Sequence, residues 1–248
     1  MDYSLESDIK TLLSISKQTP ITAQDAQKVA DILRRYLTLH ERNQSFQSAV
    51  GMLSEKFGEF LIHFDFNNGT KFANNFYLFC YTLIPKGKDF IGVQNEIYKN
   101  VAVPFQRWVK NKVHNFENIV SNIPRGDDYV FICRRALVTG MYAPGKSVYT
   151  YAEALLSRGE SVWIIALYNS DPQFINLKKQ YKKLKLTVLV DTRLEVKLIS
   201  VIEILKIIQP KVILTETEFD LPSILGICKF RIPTIYLSQT FYNLPWYD

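Results

Sequence analysis

The chain has 248 residues, 47% hydrophobic and 13% aromatic, and 30 Lys plus Arg against 24 Asp plus Glu give it a formal charge of +6. That is enough material for one large core or two modest ones, and ten glycines and ten prolines are too few for a low-complexity chain. Cys80, Cys133 and Cys228 stand far apart in apolar settings with no C-x-x-C pair, so they read as reduced core thiols, and neither a metal site nor a cofactor is expected.

The chain opens with MDYSLESDIK, which is too polar and acidic for a signal peptide. No apolar run reaches the length of about 18 residues that a membrane span needs. A cytoplasmic protein without an integral membrane segment is the expectation. Ala26, Val29, Ile32, Leu33, Tyr36 and Leu37 recur at helical spacing after Pro20, and Thr22 to Asp25 resembles a capped helix start. Further helices are expected at 46–63, 71–83 and 90–120, separated by Asn67-Asn68-Gly69 and Pro85-Lys86-Gly87. The many phenylalanines of this half fit a core. Trp108 fits either the wall of a basic groove or a place under a neighbouring helix.

The pattern changes near Ile123-Pro124-Arg125-Gly126. Strands are expected at Tyr129–Thr139, Ser161–Ala166, Leu186–Val190, Lys211–Leu214 and Thr234–Leu237, with helices between them at Val148–Ser157, Pro172–Leu184, Leu198–Ile208 and Pro222–Cys228. Short β-rich runs alternating with helices predict a parallel sheet covered on both faces. The fold class is therefore α/β: an all-helical domain over 1–124, followed by a Rossmann-like domain over 125–248. The basic run from Lys178 to Lys185 fits a solvated helix end between two elements, and no nucleic-acid partner is expected.

Ligands of such sheets bind beyond the carboxyl ends of the strands, where the strand order reverses. The loop after the first strand, Gly140-Met-Tyr-Ala-Pro-Gly145-Lys146-Ser147, matches the phosphate-loop pattern G-x-x-x-x-G-K-[ST]. That loop works by cradling phosphates with consecutive backbone N–H groups, and Pro144 has none to give. A nucleotide-hydrolysing enzyme also needs a magnesium-holding Asp after a later strand, where this chain has Thr215-Glu216. The fourth-strand loop carries Glu216, Glu218 and Asp220. Asp220 is explained as a helix cap before Pro222, which leaves Glu216 and Glu218 as either solvated groups or a substrate-contacting pair. The last loop, from Ser238 to Tyr247, mixes Gln239 and other hydrogen-bonding groups with aromatics, as sugar or nucleotide sites often do, and packing against a missing neighbour would explain the aromatics as well.

The segments VFICRRALVTGMYAPGKSVYTYAEALLSRGESVWIIAL and ILKIIQPKVILTETEFDLPSILGICKFRIPTIYLSQTFYNLPWYD resemble the N-terminal Rossmann half of bacterial GT-B glycosyltransferases. A helical domain ahead of such a half is also similar to cytosolic adhesin-modifying glycosyltransferases. The resemblance implies transfer of a sugar from a nucleotide-sugar donor to an acceptor protein or glycan. Gly145, Lys146, Ser147 and Gln239 would then bind substrate, and Glu216 or Glu218 would take the acceptor's proton. It also implies a second, donor-binding half after residue 248, so the chain reads as a fragment or one piece of a split enzyme, inactive alone. A phosphate-loop nucleotide hydrolase and a non-catalytic interaction module are the alternatives.

Overall fold

The computed structural model describes residues 3–37, 43–82, 90–113, 116, 123–138, 143–216 and 232–237. The chain divides into two compact units, Met1–Lys112 and Val113–Asp248.

The first unit is helical in its described residues: α1 (Tyr3–Ser16), α2 (Ala23–Leu37), α3 (Gln44–Ser54), α4 (Phe57–Leu61), α5 (Phe66–Thr82), α6 (Phe90–Ile97) and α7 (Val103–Lys112). The cap expected ahead of α2 forms as a reciprocal box. Thr22 Oγ1 accepts from the Asp25 amide at 3.1 Å, while the Asp25 carboxylate accepts from the Thr22 hydroxyl and amide at 2.6 and 3.3 Å. The expected helix at 46–63 is broken into α3 and α4 by a turn at Glu55-Lys56.

Asn67-Asn68-Gly69, expected as punctuation, instead lies inside the first turns of α5. The reason is packing. A Cβ on Gly69 would sit 2.5 Å from the Trp108 ring, so the glycine is there to admit the indole and not to break the helix. Trp108 is buried, stacked on Phe66 at 5.6 Å and on Phe105 at 5.8 Å, which settles it as core. Between α6 and α7 the chain takes a π-helical turn, Tyr98–Ala102. Pro104 lacks an N–H and its ring would crowd the carbonyl of Asn100, and the wider turn relieves both problems. Phe57, Phe60 and Phe76 are fully buried around Phe72 and form the centre of the unit.

In the second unit five parallel strands, β1 (Asp128–Ala136), β2 (Val162–Ser170), β3 (Leu184–Val188), β4 (Pro210–Glu216) and β5 (Thr234–Leu237), form one sheet in the order β3-β2-β1-β4-β5. The described helices are α8 (Ala143–Ser157), α9 (Pro172–Gln180) and α10 (Leu194–Ile208). Val130 to Cys133 of β1 and Ile164 to Leu167 of β2 are all fully buried, as strands covered on both faces must be. Phe131 and Cys133 share one core with Val148, Ala152 and Leu156 of α8 and Phe174 and Leu177 of α9. The connection from β3 to β4 runs back across the sheet, and a right-handed crossover then puts α10 on the opposite face. This is a Rossmann-like, doubly wound arrangement.

Gly159 caps α8 with φ +83°, a left-handed conformation that suits glycine, and its amide donates to the Leu156 carbonyl at 3.0 Å. The third strand begins two residues earlier than expected and α9 stops at Gln180, because Tyr181 is extended and Leu184 is buried against the sheet. Lys178, Lys179, Lys182 and Lys183 are exposed, as a solvated helix end requires. Cys80 and Cys133 are fully buried, the Cys133 thiol donates to the Ile165 carbonyl at 3.8 Å, and burial pushes the Cys80 thiol far above its ordinary range. The helix expected at 222–228 lies outside the described residues, as does Cys228. No helix among the described residues is long and apolar enough to cross a membrane.

Candidate functional site

The order β3-β2-β1-β4-β5 reverses direction between β1 and β4, so the switch point lies at their carboxyl ends. The two strands pair directly, with Ile132 opposite Thr215. β4 ends on Thr215, which is buried, and Glu216, which pairs with Leu237 of β5. From β1 the chain continues through Leu137 and Val138 towards α8.

α8 starts at Ala143, five residues before the expected start, so Pro144, Gly145, Lys146 and Ser147 form its first turn. Proline fits there, because the first amides of a helix have no intrahelical acceptor and its fixed φ is already helical. Gly145 is buried, Ser147 is half-buried and Lys146 is exposed. These three and the backbone of Glu216 thus lie at the carboxyl ends of adjacent strands. Glu218 and Gln239 lie outside the described residues.

In the helix that begins at Ala143, Pro144 lies just ahead of the Gly145-Lys146-Ser147 amides and has no N–H, so it interrupts the run of consecutive donors that a phosphate cradle needs. We expect titration with ATP and magnesium to give no binding in the micromolar range. Micromolar affinity that vanishes in Lys146→Ala would overturn this.

A second group at the same edge was not anticipated from the sequence. Tyr168 near the end of β2 carries two cations on its ring: Lys197 Nζ lies 3.6 Å from the centroid and Arg134 Cζ 5.5 Å. Lys197 is buried at 2% exposure and donates to the Leu167 carbonyl. A cation so buried is costly unless its donors are engaged, and the ring and carbonyl both help. Beyond β3, the Arg193 side chain and amide bond the Asp191 carboxylate, and with Lys197 nearby they hold its pKa below the ordinary range.

Asp171 binds these pieces together. It is 5% exposed, its carboxylate accepts from the Val138 amide at 2.6 Å, and it caps α9 by accepting from the Gln173 and Phe174 amides at 3.0 and 3.4 Å. Its own amide donates to the Ala136 carbonyl at 2.9 Å. The exits of β1 and β2 are thereby fixed to one another.

Both signals were present in the sequence. Lys197 stands three residues after Leu194 and four before Val201, on the apolar stripe of α10, and Asp171-Pro172 is the cap-plus-proline start of a helix. The assembled edge offers a helix N-terminus, an exposed lysine, and a buried Lys197 beside a half-buried Arg134, all of which favour an anionic ligand. No protein-family model matches the chain, and no curated protein sequence matches it either.

Proposed function

We propose that the α/β unit is the acceptor-side half of a GT-B-type glycosyltransferase, acting with a donor-binding half that holds the nucleotide sugar. The observation that carries this reading is the switch point between β1 and β4, where the first turn of α8 and the end of β4 meet the region in which Rossmann-like sheets take their ligands. In this reaction an acceptor hydroxyl or amide attacks the anomeric carbon of the donor sugar. The bond to the nucleoside diphosphate breaks, and the diphosphate leaves with the bonding electron pair. Glu216 or Glu218 takes the proton that the acceptor loses. Lys146, exposed in the first turn of α8, neutralises a phosphate of the donor or an acidic group of the acceptor. The basic pair Arg134 and Lys197 adds positive potential at the same edge of the sheet.

The nucleotide-hydrolase reading is disfavoured by Pro144, which has no N–H to give, and by Thr215-Glu216 where a magnesium-holding Asp is needed. No particular observation favours a purely non-catalytic module.

The test is transfer by the complete product of the gene, offered UDP-glucose, UDP-N-acetylglucosamine and GDP-mannose with host-cell proteins and glycans as acceptors. Nucleoside diphosphate release and the mass added to the acceptor are the readouts. At least one donor is expected to react, and Glu216→Gln or Glu218→Gln should slow transfer by about a hundred-fold. Absence of turnover with every donor would sink the reading, and near-normal turnover in both folded variants would remove the glutamates from it.

A further inference from the structure

A pocket of about 330 Å³ opens in the helical unit between α2 and α5. That volume lies at the lower end of the range of about 300–1,000 Å³ typical of small-molecule sites. Its floor is apolar: Phe64 and Phe72 are 9% and 3% exposed and stack with centroids 5.0 Å apart. Its walls are polar, and the sequence places them by helical spacing. On α5, Asn68, Lys71 and Asn75 follow the i, i+3, i+7 stripe, and on α2 Gln27 and Arg34 are seven residues apart.

The wall groups are held in place from behind. Asp31 accepts from Gln27 Nε2 at 3.0 Å and from Arg34 Nη1 at 3.3 Å. Asp65 accepts from Asn68 Nδ2 at 2.7 Å, and hydrogen bonds from Asn68 keep its carboxyl pKa below the ordinary range. The nearby carboxylates are thus occupied by the same residues that form the walls. Asn74 supplies a further signal. Its amide oxygen is buried and meets no donor, an omission that costs a folded protein unless a ligand makes it good.

We propose that this pocket binds a small polyhydroxylated anion, a sugar bearing one carboxylate or phosphate. The amides of Asn74, Asn75 and Gln27 exchange hydrogen bonds with hydroxyls, the Asn74 carboxamide turning to bring its unpartnered oxygen to one of them. Lys71 and Arg34 meet the anionic group with charge-assisted hydrogen bonds. The Phe64 and Phe72 rings cover the C–H face of the sugar. The pocket lies wholly within the helical unit, so its ligand can be measured whatever the α/β unit transfers.

The experiment is calorimetric titration of the 248-residue chain with glucuronate, glucose 6-phosphate, glucose and inorganic phosphate. We expect one or both anionic sugars to bind with a Kd of about 1 mM or tighter, and glucose and phosphate at least about ten-fold more weakly. Preference for glucuronate identifies the carboxylate as the recognised group, and preference for glucose 6-phosphate identifies the phosphate. Lys71→Gln and Asn74→Ala should each weaken binding by about ten-fold. Lys71 is exposed, so its variant keeps the test valid even if Asn74→Ala perturbs the fold. The proposal fails if neither anionic sugar binds up to about 10 mM, if inorganic phosphate binds as tightly as both sugars, or if Lys71→Gln leaves the affinity unchanged.

Discussion

Phe76→Ala is expected to destabilise the helical unit by about 3–5 kcal/mol, the cost of a large aromatic removed from a packed core. Phe76 is fully buried, with the rings of Phe57, Phe72 and Phe60 at 5.0, 5.6 and 6.4 Å. Phe57 and Phe60 are themselves fully buried on the short helix α4 and have little freedom to close the space. Hydrogen exchange resolves the two units separately, so protection should fall across Gln44–Ser54 and Phe66–Thr82 while β1 and β2 keep theirs. Phe76→Leu retains most of the volume and should cost less than half as much. A loss under about 1 kcal/mol for the alanine variant would mean that the ring cluster repacks and is not the rigid centre described above.

The sheet was legible because its signal is redundant. A run such as Val130 to Cys133 is apolar at every position, short, and rich in β-branched and aromatic residues, as a strand buried on both faces requires, and β5 appears at the expected Thr234–Leu237. The parallel order followed from the intervening helices. What local pattern missed were features decided by a distant partner. Gly69 reads as a breaker until Trp108, far along the chain, is seen to fill the space of its missing side chain. Ala143 to Ser147 reads as a loop because glycine and proline punctuate loops, yet proline is also at home in a first helical turn. The sequence pattern extends the helix from Pro172 to Leu184, but the Leu184 side chain packs in the core of the sheet.

The candidate site was legible as a location but less so as a set of residues. The rule that ligands sit at the carboxyl ends of parallel strands pointed to the loops after β1 and β4, and Gly145, Lys146 and Glu216 lie there. The rule says nothing of residues recruited from elsewhere. Lys197 comes from the start of α10 and meets Tyr168 of β2 only once the crossover has been made. A lysine on an apolar stripe marks such a group, since a buried ammonium persists only where its donors are met.

Asp171 is where fold and site depend on the same side chain, and Asp171→Ala should cost about 2–4 kcal/mol. Loss of a helix cap accounts for about 0.5–2 kcal/mol. The Val138 amide, left without its 2.6 Å acceptor in a partly buried setting, adds about 1–3 kcal/mol. Asp171→Asn tests the division of labour. Asparagine has one acceptor oxygen, which can cap α9 or meet Val138 but not both, and its amide nitrogen would oppose whichever N–H remains. That variant should lose about half of what the alanine variant loses. The position also predicts where the damage appears. Val138 leads from β1 towards Gly145, Lys146 and Ser147, so hydrogen exchange should accelerate at the β1 exit and the start of α8 as well as in α9. If exchange rises only in α9, Asp171 is a simple cap, and the carboxyl edge of the sheet is set by other contacts.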